Sequence, residues 1–119
     1  LWSKRWGGVL TLEEKAFGVA TDAAGNIVLT GSIADTFDFG GGPIPGDGYY
    51  DIFLAKFAST GAHLWSKRTG GGEGIDVTFD AVGNVIAAGN FTGSTTVNFG
   101  GANLLSPGGT DTFLVKLGP

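Results

Sequence analysis

Acidic and tyrosine side chains that could contact a ligand are concentrated in the first half of the chain. Glu13 and Glu14 are adjacent carboxylates that could form a carboxylate pair with an aspartate, as glycoside hydrolysis requires. Exposed tyrosine rings can stack on sugars, and carboxylates can accept hydrogen bonds from hydroxyl groups. We take the following as candidates for ligand contact: Glu13, Glu14, Asp35, Asp47, Tyr49 and Tyr50.

Four aspartates lie close enough in sequence to be considered as oxygen ligands for calcium: Asp35, Asp38, Asp47 and Asp51. They do not form the alternating Asp-x-Asp-x-Asp-Gly loop, and Asp51 recurs in a second copy of its segment as Asp111. The chain has no cysteine, which excludes thiolate ligands. We therefore predict no metal site and no cofactor, and we assign these aspartates to turns and strand ends.

Nucleophilic catalysis has little support in the sequence. The single histidine, His63, follows a predicted turn, and no nucleophile-elbow sequence accompanies it. Adjacent acidic residues on a loop are usually solvated charge. We predict that the protein is not an enzyme, with a glycoside-processing enzyme as the weakest alternative.

An internal repeat organises the whole chain. The pentapeptide "LWSKR" occurs at residues 1–5 and again at 64–68, and "DAAGNIVLTGSI" at 22–33 matches "DAVGNVIAAGNF" at 80–91. Further matches are "FDFGG" with "VNFGG", and "DIFLAKF" with "DTFLVKL". Four matched blocks in one order predict two copies of a unit of about 60 residues, spanning residues 1–60 and 61–119.

Each repeat is predicted to form four strands and no helix, which makes the fold all-β. The outer strand comes first, at 1–6 and 63–69, and three strands follow at 17–22, 26–34 and 51–57, with counterparts at 75–80, 84–92 and 111–117. Small residues in the middle strands, such as Gly31 and Gly89, predict sheets packed on both faces. The residues predicted to serve the repeat itself are Trp2, Trp65, Asp22, Asp80, Gly25, Gly83, Asp51 and Asp111.

Recurrence also separates structural from ligand-binding roles. Trp2 and Trp65 occupy equivalent positions, so we interpret them as packing residues rather than as sugar platforms. Arg5 and Arg68 also recur, and we favour a bond to a neighbouring strand or aspartate over a clamp for a ligand carboxylate. The residues present in only one copy are freer to bind a ligand, and they lie on one rim of the predicted strands, formed by the long loops.

The repeated pattern resembles the bacterial β-propeller repeat known as the SBBP repeat, over essentially the whole chain. The resemblance implies four-stranded propeller blades and an exported or cell-surface bacterial protein. Two blades do not close a ring, since propellers have about four to eight. We therefore expect a cyclic homo-oligomer of three or four chains, a six- or eight-bladed propeller, in which residues 1–6 complete the last blade of a neighbour. The alternative is a piece excised from a longer multi-blade chain, which the absence of an initial Met also suggests.

Charge and hydropathy limit the classes of binding partner. The net charge is −4, and the seven lysines and arginines form no cluster, which argues against nucleic acid. No apolar run approaches the ~20 residues that span a bilayer. The sequence thus predicts a non-enzymatic scaffold or binding module that presents its long-loop rim to a glycan or protein ligand. A lectin-like oligomer is the alternative.

Overall fold

Every regular element in the described part of the chain is a β-strand, which confirms the all-β prediction. The computed structural model describes residues 1–8, 12–93 and 95–119. Over these residues no helix is long and apolar enough to cross a membrane. The strands are β1 (Lys15–Thr21), β2 (Ile27–Ile33), β3 (Asp51–Phe57), β4 (His63–Phe79), β5 (Val85–Thr92), β6 (Thr96–Val97), β7 (Leu104–Leu105) and β8 (Thr110–Leu117).

Six of these strands form one antiparallel sheet in the order β1-β2-β3-β4-β5-β8. The sheet curls into a half-barrel, so that β1 and β2 pack against the second half of β4. The approach is close: a Cβ at Gly18 would lie 3.0 Å from the Cα of Asp76. The remaining strands, β6 and β7, form a separate two-stranded ribbon in the second repeat.

The long strand β4 lies in the second repeat and pairs with a strand of each repeat. Its first part, residues 63–71, pairs with β3, and its second part, residues 72–79, pairs with β5. The sequence predicts two strands here, separated by a glycine-rich loop, and this prediction is wrong. A Cβ at Gly70 or Gly72 would collide with a carbonyl oxygen of a neighbouring segment, so the glycines let the backbone pass close to its neighbours and continue as a strand.

The strand predicted at residues 1–6 is absent from the single chain, where residues 1–8 carry no strand assignment. A strand requires a hydrogen-bonded neighbour. The segment that this stretch repeats, residues 64–68, takes β3 as its neighbour, and β3 is already covered on both edges by β2 and β4.

The small residues in the middle strands have a local cause. Gly31 on β2 pairs with Ala16, and a register shift in β1 directly follows that pair. Gly89 on β5 pairs with Gly74, where β4 has the same kind of shift. A Cβ at Gly31 would overlap the carbonyl of Lys15. A bulge on the adjacent strand therefore explains these glycines better than the predicted contact between sheet faces.

The two repeats also build matching hairpins and matching cores. Asp22 Oδ1 accepts hydrogen bonds from the amides of Ala24 and Asn26, both at 2.9 Å. Asp80 makes the same contacts with Val82 and Asn84, and Gly25 and Gly83 have positive φ angles of 77° and 86°. In the cores, Phe39 lies 5.1 Å from Phe53 and Phe99 lies 5.1 Å from Phe113, measured between ring centroids.

Candidate ligand-binding cavity

A cavity of about 510 Å³ lies where the two repeats meet. The loop before β3 contributes two tyrosines, the middle of β4 contributes Glu73, and β5 contributes Asn90. Three segments that the sequence predicts to be loops on the same rim, at residues 34–50, 70–74 and 93–110, therefore contribute residues to one cavity. The lining residues are Asp47, Tyr49, Tyr50, Asp51, Gly71, Gly72, Glu73, Asn90, Thr92, Thr95 and Thr110.

Backbone hydrogen bonds fix the loop that presents the tyrosines. Asp47 Oδ1 accepts a hydrogen bond from the amide of Tyr49 at 3.0 Å, which forms a local turn. Gly48, with φ of 84°, donates its amide to the carbonyl of Ala34 at 3.1 Å. The carbonyl of Tyr50 then accepts from the amide of Gly72 at 2.9 Å, which ties the loop to β4. Tyr49 is left 74% exposed and available for stacking.

Arg68 holds the base of the same loop. Its Nε donates to Asp51 Oδ2 at 2.7 Å and its Nη1 donates to the carbonyl of Asp35 at 2.9 Å. Its Nη2 makes longer contacts, both at 3.4 Å, with the carbonyl of Ala34 and with Asp47 Oδ1. The Arg68 side chain is only 7% exposed. Arg68 thus binds an aspartate of a neighbouring strand, as the sequence analysis favours. Asp51 is therefore paired within the protein.

Glu13 lies beside the cavity through its backbone. Its amide donates to the hydroxyl of Tyr50 at 3.3 Å, while its carboxylate forms an ion pair with Lys15 at 2.6 Å. The hydrogen bond from Lys15, followed by its charge, lowers the pKa of Glu13. The same pair raises the pKa of Lys15, with smaller contributions from Tyr50 and Glu73. Lys15 is therefore a cation within electrostatic range of the cavity.

Glu14 and Asp35, the other two candidates from sequence, do not line this cavity. Glu14 borders a separate space of about 120 Å³ next to Trp6, where its Oε1 is buried without a hydrogen-bond partner among the described residues. Asp35 is only 9% exposed, and its Oδ1 accepts from the amide of Thr36 at 2.8 Å. The cavity therefore unites Asp47, Tyr49 and Tyr50, with Glu13 at its border.

Protein donors engage the aspartates that were weighed as calcium ligands. Asp38 Oδ1 accepts from the amides of Gly40 and Gly42, at 2.7 and 3.0 Å, and Asp51 is paired with Arg68. Within residues 1–8, 12–93 and 95–119, no three His, Cys, Asp or Glu side chains come together as a metal site would require. His63 lies 3.2 Å from the Ser66 hydroxyl and is not part of the cavity lining.

Glu73 and Asn90 are lining residues that the sequence-based candidates omit. Asn90 stands where the first repeat has Ser32, so a stricter comparison of the two copies identifies it. Glu73 lies in a segment assigned to the rim, but its side chain had no assigned role. Both come from the second repeat, whereas all six sequence candidates come from the first.

The recurring tryptophans differ in their surroundings. Trp65 packs against the core cluster that contains Phe99 and Phe113. Trp2 is 43% exposed, and its Nε1 donates to the carbonyl of Ser59 at 3.1 Å. The two residues are equivalent in sequence, but in the single chain only Trp65 contributes to a core.

The cavity is suited to a small polar ligand that can stack on a tyrosine ring and hydrogen-bond to a carboxylate and an amide. Its walls come from strands on both sides of the junction, which fixes the spacing of these groups. The sequence matches no known protein-family model and no curated protein.

Proposed function

We propose that the chain is a two-blade segment of a bacterial β-propeller that assembles with copies of itself into a closed ring. Three chains give six blades and four chains give eight. In this proposal the assembly is a non-enzymatic scaffold that binds a ligand at the cavity between Tyr49, Tyr50 and Glu73. Exported or cell-surface placement follows from the resemblance of the repeat to the SBBP repeat.

The equivalence of the two repeats carries the proposal. Both repeats have the same aspartate hairpin, the same phenylalanine pair at 5.1 Å and the same register shift opposite a glycine. Similar units that are added head to tail with the same rotation form a closed ring when that rotation divides the full circle. A partial circle leaves unpaired sheet edges, which natural proteins cover.

The positions of Glu13 and Glu14 do not favour the glycoside-processing alternative. Glu13 is paired with Lys15, and Glu14 borders a different cavity. Glycoside hydrolysis needs two carboxylates that face one bond from opposite sides. These two side chains do not share a cleft, and Asp51 is held by Arg68.

The mass of the protein in solution tests the assembly. Native mass spectrometry and light scattering are expected to find three or four times the chain mass of 12.1 kDa. A ring built only from two-blade chains excludes an odd blade number. A folded, stable monomer at micromolar concentration would contradict the proposal.

Carbohydrate is the ligand class that the lining of the cavity favours. Tyr49 offers an exposed ring face, and Glu73 and Asn90 supply an acceptor and a mixed donor–acceptor group within the same cavity. A ring would present several equal sites, which raises the avidity for a multivalent glycan. Glycan-array binding that is lost in Tyr49→Ala and kept in Val82→Ala, a change on the turn after β4, would support this assignment. An array without signal for the wild-type protein would exclude it.

A further inference from the structure

The strand β8 presents an edge that its counterpart in the first repeat does not. Over the described residues β8 pairs with β5 alone, whereas β3 pairs with β2 on one side and β4 on the other. All seven residues of β3 are buried. The equivalent residues also differ in exposure: Leu54 on β3 packs in a core cluster with Val77 and is 0% exposed, whereas Leu114 on β8 is 73% exposed.

The segment that covers β3 occurs a second time in the chain. Residues 64–68 pair with β3, and residues 1–5 have the same sequence, "LWSKR", without a strand partner. The strand that lacks a cover, β8, in turn repeats the sequence pattern of β3, as "DTFLVKL" repeats "DIFLAKF". The chain thus contains two copies of each of these two strand sequences. The two sequences pair with each other only once, as β3 with β4.

The N-terminal segment, residues 1–6, already lies on the first repeat much as residues 64–69 lie on the second. Trp6 packs against Phe39 and Phe57, with ring centroids at 5.4 and 5.1 Å. Thr69, which corresponds to Trp6, accepts a hydrogen bond from the amide of Asn98, next to the equivalent Phe99, at 2.7 Å. The segment is therefore held beside its own repeat while its backbone remains available to another strand.

An ion pair marks the register of the pair that does form. In β3 and β4, Arg68 lies opposite Phe53, and its guanidinium reaches Asp51 at 2.7 Å. The corresponding residues of the uncovered pair are Arg5 and Asp111, and neither has an ion-pair partner among the described residues. An open cavity of about 410 Å³ borders Asp111 and Thr112.

We propose that residues 1–6 of one chain add as a further strand to β8 of a second copy, with Arg5 bound to Asp111 of that copy. Transfer of the observed register places Arg5 opposite Phe113, Ser3 opposite Val115 and Trp2 opposite Lys116. The added strand pairs the backbone edge that β8 leaves open. This inference rests on the self-assembly in the proposed function, and it adds the strand register and the Arg5–Asp111 ion pair through which the assembly forms.

Cysteine pairs test the register directly, because the protein has no cysteine of its own. Residues directly opposite in an antiparallel pair have Cα atoms about 4.5–5.5 Å apart, within the range for a disulfide. The variant Ser3→Cys with Val115→Cys is expected to form disulfide-linked multimers under mild oxidation. The matched control, Ser3→Cys with Leu114→Cys, places the two thiols on opposite faces of the strand pair and is expected not to do so.

Charge exchange tests the ion pair. Arg5→Asp and Asp111→Arg are each expected to weaken association at least tenfold, measured by the concentration dependence of the mass, because each places like charges together. The double variant is expected to restore association. Arg5 is exposed in the single chain, so its replacement is expected to leave the chain folded. Circular dichroism of each variant checks this.

The outcomes separate the two proposals. A wild-type protein that forms rings but shows no preference for the Val115 pair over the Leu114 pair overturns this inference and leaves the proposed function standing. Single charge variants that associate normally also overturn it, as does a disulfide formed within one chain. A wild-type protein that stays monomeric overturns both proposals.

Discussion

Arg68 on β4 donates its Nε to Asp51 on β3 at 2.7 Å, with 7% and 13% of the two side chains exposed. The same guanidinium binds two backbone carbonyls of the loop that leads to the cavity, those of Asp35 and Ala34. One side chain therefore joins two strands and the base of the candidate site.

Replacing Arg68 by methionine removes this connection and leaves Asp51 buried without a cation. Breaking a buried ion pair from one side is expected to lower the free energy of unfolding by about 3 kcal/mol, measured by urea denaturation. The exposed pair of Lys15 and Glu13 is the control, and Glu13→Gln is expected to leave the midpoint unchanged. Equal effects of the two variants would mean that the Arg68 cluster adds no stability.

Leu54 lies at the centre of the covered part of the sheet with no exposed surface. Leu54→Ala removes buried methyl groups and leaves a cavity, so a loss of about 3 kcal/mol in the free energy of unfolding is expected. Val82 is a hydrophobic residue on an exposed turn, and Val82→Ala is expected to change stability by no more than about 0.5 kcal/mol. If Leu54→Ala were also neutral, the β3–β4 packing described above would be incorrect.

Asp80 links the second hairpin to β8. A hydrogen bond from Lys116, at 2.7 Å, and one from Asn84 hold the pKa of Asp80 far below its ordinary value of 3.8. Because the folded-state pKa is the lower one, the stabilisation is fully present above pH 3.8 and decreases as the pH falls through the folded-state pKa. The carboxyl resonance of Asp80 is expected to titrate below pH 3.8.

Lys116→Gln is expected to raise the pKa of Asp80, since Lys116 is the largest cause of its shift. Asp22 is the internal control. Its pKa is also lowered, but mainly by a hydrogen bond from Asn26, so Lys116→Gln is expected to leave its titration unchanged. An unchanged Asp80 titration in this variant would refute the role of the ion pair.

Gly31 lies opposite the bulge in β1, where a Cβ would overlap the backbone of Lys15. Gly31→Ala is expected to lower the free energy of unfolding by about 1–3 kcal/mol, since rigid backbone has to move. Gly101 is the matched position, because open space surrounds its Cβ direction and its φ is not positive. Gly101→Ala is expected to be neutral or slightly stabilising, and thermal unfolding of both variants compares them.

The strands and hairpins follow from local patterns, which is why the sequence predicts them. In each hairpin the aspartate and the glycine act within a stretch of five residues, and both residues recur in the other copy of the repeat. The continuity of β4 through Gly70 to Gly74 depends on contacts with residues 90 and 96 instead, and those contacts exist only after folding. A run of glycines predicts a loop on local grounds, so the prediction fails there.

In the candidate site, too, some features follow from the local sequence and others arise only on folding. Tyr49 and Tyr50 stand out because the second repeat has no equivalent. Their union with Glu73 and Asn90 depends on how the two repeats meet, which no local pattern encodes. Glu14 and Asp35 are acidic like the residues of the site, but Glu14 borders a different cavity and Asp35 is only 9% exposed.

The shared strand β4 has a consequence for how the chain comes apart. Residues 63–71 pair with β3 of the first repeat and residues 72–79 pair with β5 of the second, without an interruption between them. In many repeat proteins each unit melts with limited effect on the others. Here, loss of β4 strips hydrogen bonds from both units at once, so amide exchange in the two repeats is expected to share one opening reaction and one protection level.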